Sequence, residues 1–307
     1  MPISQDPGKL THYFNYAGKL LNTPGPDNIF IMVIGFGENI HNSMEYANNA
    51  FKSFGSWFVL ILLYAVMFAG TALMIIGMIL MATTFVASLT PVFSSAVDSA
   101  LSSGDMLVTP GFAILASISI VLFILGIILT VLFSIFIYGF MMRVYRGGEL
   151  ALNNWGKMFV EGILAMIIFF IYMIPYIVIS TLVSLGPMDN LAYLIIVGII
   201  IPIILLIVSV MVGVMGLVKF AKEEHFGAAF HLKELFSIIA NIGWLRYLGY
   251  WILISLIVGV IEIIFICIPL VGIIMLIVAM PFIMIVTARF FANLYESALP
   301  AVPAENE

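Results

Sequence analysis

The chain alternates long apolar stretches with short polar ones, and six of the apolar stretches stand out. Each is longer than the roughly 20 residues that an α-helix needs to cross the hydrocarbon core of a membrane. None alternates apolar and polar residues as the strands of a transmembrane β-barrel do. The pattern predicts an all-α fold, a polytopic bundle of six transmembrane helices. The predicted spans are residues 57–89, 111–142, 158–185, 191–218, 247–268 and 270–294.

Two further stretches have helical periodicity but are too polar to span a membrane. Residues 38–54 place Ile40, Met44 and Ala47 on one face and polar side chains, including Asn39, on the other. Residues 226–243 repeat this arrangement with a stripe of larger apolar side chains. Such patterns are typical of amphipathic helices lying in the cytoplasmic interface of the membrane. A helix packed across the cytoplasmic ends of the bundle would show the same pattern, so both interpretations stay open.

The placement of positive charge predicts the orientation. With six spans, all eleven Lys and Arg residues fall on one side of the membrane. The loops on the other side, at 90–110, 186–190 and 269, contain none. Cytoplasmic loops of membrane proteins carry an excess of Lys and Arg, so the basic side is predicted to face the cytoplasm. With the six spans, this predicts a multi-pass protein of the plasma membrane. Both the N-terminus and the C-terminus are expected in the cytoplasm.

The chain also divides into regions of different character. Residues 1–35 are polar and rich in proline, and we expect a flexible extension or an upstream start that the cell does not use. Residues 36–297 form the single six-helix membrane domain, and residues 298–307 form a short tail. Short matches, such as Phe-Gly followed by a His four residues later, suggest an internal repeat of about 36–142 and 219–297.

Composition excludes several classes of protein. Of the 307 residues, 64% are hydrophobic and 9% are charged, which is too little polar surface for a soluble globule. The same figures exclude a disordered chain and a nucleic-acid binder. The one cysteine, Cys267, lies in an apolar run and is expected to be buried and chemically inert. The four histidines lack the spacing of a metal site, and no cofactor motif or catalytic constellation is found.

Glu262 is the main candidate for a functional residue inside the membrane. It lies deep in the fifth predicted span, in the outer half, where no Lys or Arg is available as a partner. A carboxylate in this position costs several kcal/mol unless it is paired or protonated. It is interpreted as a proton or cation site, as a neutral side chain with a hydrogen bond inside the bundle, or as a side chain exposed to the outer water layer.

Two more ionisable residues are candidates near the cytoplasmic boundary. Glu161 lies four residues after Lys157, so an ordinary interface ion pair is the plain interpretation. Arg289, near the cytoplasmic end of the sixth span, can extend its guanidinium to the headgroups or bind a lipid phosphate.

The central part of the chain resembles a known membrane family. The run YGFMMRVYRGG at 138–148, followed by NWGKMFVEG at 154–162 and IYMIP at 171–175, is similar to domain of unknown function 4013. Weaker likeness extends over residues 36–297. The resemblance implies an uncharacterised multi-pass membrane protein, commonest in archaea and some bacteria, and it carries no mechanism. It marks as motif residues Arg143, Trp155, Gly156, Glu161 and Pro175.

Two functions remain in competition at this stage. A non-enzymatic scaffold, assembly factor or lipid-organising protein is favoured because no catalytic set is found. Its partners would be the lipid bilayer and other membrane proteins or further copies of the chain. A small-molecule or proton-coupled transporter using Glu262 is the alternative, supported by mid-span prolines that break backbone hydrogen bonds. A polar cavity reaching Glu262 would favour transport, whereas a packed bundle would favour the scaffold.

Overall fold

The computed structural model describes residues 33–50, 54–98, 110–186, 191–268 and 271–299. Regular structure within these ranges is helical, which confirms the predicted fold class. The α-helices of these ranges are α1 (Phe36–Ala50), α2 (Phe54–Asp98), α3 (Pro110–Arg146), α4 (Trp155–Ser184), α5 (Leu191–Tyr193), α6 (Ile201–Glu223), α7 (Leu232–Ile242), α8 (Trp244–Ile266) and α9 (Val271–Ser297). A wider π-helical segment, Leu194–Ile200, joins the short α5 to α6, and a 3₁₀ turn at Phe226–Phe230 precedes α7.

Within the described ranges six helices are long and apolar enough to cross a membrane, as predicted, so the chain is a multi-pass membrane protein. Their bounds differ from the predicted spans by a few residues. The spans are Phe54–Val86, Ile114–Arg146, Trp155–Ser184, Ile195–Glu223, Trp244–Ile266 and Val271–Ser297.

One interruption of regular α-helix, before α6, coincides with a proline. Pro202 has no backbone N–H, and it lies where the π-helical segment gives way to α6. Pro175 and Pro281 stay inside continuous helices. The outer loop predicted at 90–110 is shorter than expected, because α2 continues to Asp98. The loop predicted at residue 269, between the fifth and sixth spans, lies outside the described residues.

α9 is the central helix of the packing. It contacts α1, α2, α3, α6 and α8, while α2, α3, α4 and α6 pack in sequence against one another. The largest fully buried side chains lie near one end of the bundle and include Phe140, Met158, Met215 and Phe290. We call this the basic end, because the Lys and Arg side chains of the described helices meet there, as shown below.

Side chains at the opposite end are far more exposed. Leu185 is 79% exposed, and Phe85, Val121 and Ile263 are each more than 60% exposed. Cys267 is also exposed, so its predicted burial is wrong. It follows the last residue of α8, where the helices no longer cover one another. These apolar surfaces fit the lipid environment that the six spans imply.

The two amphipathic segments are both helical, and protein covers one face of each. In α7 the predicted stripe is correct, because Leu235, Ile238, Ile239 and Ile242 are buried. In α1 the predicted faces are partly wrong. Asn39 is fully buried although it was assigned to the outward polar face, and Met44 is exposed. Both helices therefore pack across the end of the bundle.

The predicted extension and tail lie largely outside the described residues. At the N-terminal boundary the Ile34 carbonyl accepts a 3.5 Å hydrogen bond from Tyr250. At the C-terminal boundary Ala298 is fully buried, and its carbonyl accepts a 3.1 Å hydrogen bond from Asn241. The predicted repeat of 36–142 and 219–297 stays a prediction.

Candidate functional site at the basic end

Glu161 forms the innermost ion pair of the basic end. Its side chain is 9% exposed, and it lies in the second turn of α4. Arg146, the last residue of α3, donates to both carboxylate oxygens, with Nη1–Oε2 at 3.0 Å and Nη2–Oε1 at 2.7 Å. Lys157, the partner suggested by sequence spacing, is more distant at 3.6 Å. The main partner is therefore Arg146, in the bidentate geometry that planar guanidinium and carboxylate groups favour.

Arg146 also joins α3 to the end of α6. Its Nε donates to the Ala221 carbonyl at 2.7 Å and lies 3.1 Å from a carboxylate oxygen of Glu224. Glu224 in turn accepts a 2.9 Å hydrogen bond from Lys157. Lys157, then Arg146, hold the pKa of Glu224 below its usual value. Four charged side chains from α3, α4 and the end of α6 thus form one continuous network.

The backbone that places Glu224 is unusual for a residue with a side chain. Its φ of 53° puts it in the left-handed region, directly after the last turn of α6. There its N–H donates to the Phe220 carbonyl at 2.9 Å and ends the helix. A non-glycine residue in this region is strained. Here the conformation turns the chain and leaves the carboxylate beside Arg146 and Lys157.

A second cluster joins α6, α7 and α9. Lys219 is buried and pairs with Glu223 at 2.9 Å and with Glu234 of α7. Lys219 lowers the pKa of Glu234 from its usual value. Lys222 pairs with Glu296 of α9, and its Nζ also donates to the Arg146 carbonyl at 3.3 Å. The second cluster is therefore linked to the first.

Arg289 lies between α9, α1 and the turn after α3. One terminal nitrogen pairs with Glu296 at 3.3 Å, and the guanidinium carbon lies 5.3 Å from the centre of the Tyr46 ring. Tyr46 donates to the Gly148 carbonyl at 2.7 Å, and burial raises its pKa to about 12. The other terminal nitrogen, Nη1, is buried without a hydrogen-bond partner among the described residues. Arg289 is therefore packed inward, with Glu296 compensating its charge.

Amide side chains join the first and last described helices. The Asn39 amide donates to the Phe290 carbonyl at 3.0 Å, and the Asn293 amide donates to the Asn39 side-chain oxygen at 3.0 Å. Asn293 also lies 3.3 Å from the Ser43 hydroxyl. Asn39 and Ser43 are fully buried, so hydrogen bonds attach α1 to α9 in addition to apolar contacts such as that of Phe36 with Phe290, 5.5 Å apart between ring centres.

Two cavities described in the structure open at this end. One, of about 620 Å³, lies between α1 and α9, with Asn42, Glu45, Tyr46, Arg289 and Glu296 in its lining. The other, of about 420 Å³, lies among α6, α7 and α9. Its charged lining consists of Lys219, Lys222, Glu223, Glu234 and Glu296. In each lining the carboxylates outnumber the basic groups by one, so neither cavity favours an anionic ligand.

The other motif residues have structural positions. The guanidinium of Arg143 donates to the Ala151 carbonyl and to the backbone and side-chain oxygens of Asn153, which holds the loop between α3 and α4. Trp155 is partly exposed and lies edge-on to Phe136 at 5.6 Å between ring centres. Gly156 has open space around it.

Pro175 and Glu262 lie in the halves of their helices that are farther from the basic end. Pro175 is exposed in α4. Glu262 lies four positions before the end of α8, at the opposite end from the ion pairs, and is half-buried. Among the described residues it has no hydrogen bond or ion pair, and neither cavity described above includes it. The structure therefore does not bring Glu262 together with Glu161 and Arg289.

Comparison with known families assigns the central region. The family model described as a protein of unknown function, DUF4013, matches residues 122–270. This central region, just under half of the chain, belongs to the DUF4013 family. The match contains the whole Arg146, Glu161, Glu224 and Lys157 network, while Arg289 and Glu296 lie beyond its end. No match was found among curated proteins or solved structures.

Sequence reasoning missed several residues of the DUF4013 site. Arg146 and Glu161 flank the short loop between the second and third predicted spans, so a pairing across this loop could have been predicted from the spans. Asn39 and Asn293 are 254 positions apart, and no local pattern indicates their contact. Lys219 was counted among the positive charges only, although it is buried and paired.

Proposed function

We propose that this DUF4013 protein is a non-enzymatic integral membrane protein with a structural role, as a scaffold or assembly factor. The observation that carries the proposal is that the buried charged side chains form ion pairs between helices. The buried ionisable side chains Glu161 and Lys219 are each held in ion pairs between helices. Groups committed to holding helices together are poorly placed to exchange protons with a substrate.

Further support comes from the surface that the bundle presents to its surroundings. In the most apolar 18-residue window of α8, 6% of the residues are buried within the chain. We propose that α8 packs against another membrane protein or a second copy of this chain. We also place the basic end in the cytoplasm of the cell, following the excess of positive charge on that side.

Cross-linking in native membranes tests this proposal. A photoreactive residue at Leu256, which is exposed on α8, should give one reproducible protein adduct, whereas one at the buried Phe140 should give none. Labelling by lipid alone at Leu256 would contradict the scaffold proposal. In a protein whose exposed Cys267 is replaced by Ser, a cysteine at position 103 should react with an impermeant reagent from outside the cell, and labelling from the cytoplasmic side would reverse the orientation.

A second candidate function is proton-coupled transport through Glu262. It is supported by the absence of any hydrogen bond or ion pair at this carboxyl group among the described residues. Purified protein in liposomes should then give a proton flux that Glu262→Gln abolishes and that the exposed Glu38→Gln leaves intact. The scaffold proposal instead expects no flux above that of protein-free liposomes.

A further inference from the structure

Among the described Lys and Arg side chains, two have neither an ion pair nor a hydrogen bond. Lys233 on α7 and Arg246 in the first turn of α8 are both exposed. Neither has a hydrogen bond or ion pair with the residues that the structure describes. The acidic residue next to Lys233, Glu234, is paired with Lys219. The positive charges of Lys233 and Arg246 are thus uncompensated within the described parts of the chain.

These two charges flank an exposed aromatic and apolar patch. Phe236 of α7 lies 5.7 Å from Trp244 of α8, measured between ring centres, and this contact joins the two helices. Phe236 is one helical turn after Lys233, and Trp244 is two residues before Arg246. Leu245 is 86% exposed beside them. We call Lys233, Phe236, Trp244, Leu245 and Arg246 the α7–α8 corner.

The corner lies at the level of the lipid headgroups. α8 has 23 residues, which gives a length of about 34 Å at 1.5 Å per residue. That length is close to the thickness of about 30 Å of the hydrocarbon core. The first turn of α8 must therefore emerge into the interface, where Trp side chains concentrate and where Lys and Arg reach phosphate groups.

We propose that the α7–α8 corner binds the headgroups of anionic phospholipids in the membrane that the bundle spans. Trp244, Leu245 and Phe236 contact the upper acyl chains, while Lys233 and Arg246 contact the phosphate oxygens. The two cavities are poorer sites for the same lipid because their linings carry an excess of carboxylates. The surface would serve a scaffold or a transporter equally, so it does not rest on the proposed function.

Lipid titration of the purified full-length protein tests the corner. Fluorescent phosphatidylglycerol is titrated into the protein in neutral detergent, with phosphatidylcholine as the zwitterionic reference. Lys233→Gln and Arg246→Gln should each weaken phosphatidylglycerol binding about fivefold, and the double variant about 25-fold. Phosphatidylcholine binding should stay unchanged, and the effect should shrink in high salt.

Two controls make the result decisive. Lys157→Gln removes another exposed cation, one that is already paired with Glu224, and it should leave phosphatidylglycerol binding within twofold of the original. The swapped protein Lys233→Arg/Arg246→Lys keeps both charges and should also bind normally. Normal binding by the double Gln variant would overturn the proposal. An equal loss in the Lys157 variant, or in the swapped protein, would overturn it too.

Discussion

The two ends of the bundle differ in what their side chains contact. At the basic end, ion pairs among Arg146, Glu161 and Glu224 join three helical segments. At the opposite end, Phe85, Leu185 and Ile263 are exposed. Apolar side chains gain little from helix association in a membrane, because lipid tails are as apolar as they are. The groups that hold such helices together are therefore polar pairs and close backbone contacts. The two ends differ because the polar pairs of the described residues are concentrated at one of them.

Close backbone contacts add to the polar pairs between α3 and α4. A Cβ atom at Gly139 would overlap the Met158 carbonyl, and one at Gly162 would overlap the Ile135 carbonyl. The two glycines are thus required by the approach of the helices. The α2–α3 pair uses the same device farther along, where a Cβ at Gly77 would lie 2.6 Å from the Phe123 backbone nitrogen. Close packing of α2 against α3 therefore extends from the basic end toward the opposite end of the bundle.

The largest expected effect compares one Glu→Gln substitution at each end. Glu161→Gln leaves Arg146 without its bidentate partner in a buried site, and it should lower the free energy of unfolding by about 3–5 kcal/mol. Glu262→Gln removes a carboxyl group that has no partner among the described residues, and it should be neutral or slightly stabilising. Reversible unfolding in mixed micelles measures both. A loss at Glu262 as large as that at Glu161 would contradict the contrast between the ends.

A smaller effect is expected from glycine substitutions. Gly162→Ala forces α3 and α4 apart and should cost about 1–3 kcal/mol in the free energy of unfolding. Gly259→Ala, on the outer part of α8, meets open space and should cost nothing measurable. Unfolding measured in the same micelles compares the two. Equal stability of the two variants would mean that the α3–α4 contact is not tight.

The smallest effect concerns the pH dependence at Glu224. Its pKa is lowered in the folded protein, so its stabilising effect is present at neutral pH and is lost as the pH falls through the folded pKa. Because the side chain is half exposed, the effect should be below about 1 kcal/mol. Glu224→Gln should be slightly less stable than the original at pH 7 and equal to it near pH 3. A difference that persists in acid would exclude this ion-pair origin.

The spans and the apolar stripe of α7 could be predicted because they depend on local patterns of hydrophobicity. The predicted bounds of the spans were close to those in the structure because the length of an apolar stretch directly reflects the membrane thickness. The faces of α1 could not be predicted in this way. Periodicity places Asn39 among polar neighbours and turns it outward, but the Phe290 carbonyl and Asn293 offer it hydrogen bonds inside the bundle.

The ion pairs show the same limit. The spacing of Lys157 and Glu161 is a local signal, and a contact at 3.6 Å exists. The shorter contact to Arg146 depends on how closely α3 and α4 approach, which their glycines determine. The pairing of Lys222 with Glu296 joins residues 74 positions apart and needs the complete bundle. Long-range polar contacts are therefore the part of this site that a single sequence leaves open.

The attachment of α1 to α9 also has a consequence in time. Asn39 and the carbonyl of Phe290 are 251 positions apart, so the acceptor is made long after the donor. At a synthesis rate of roughly 5–20 residues per second, this interval is on the order of 13–50 s. During that interval α1 has left the ribosome, but its amide face has no partner on α9. The α1 segment can therefore dock on α9 only after α9 has been made, and its docking is one of the last steps of assembly.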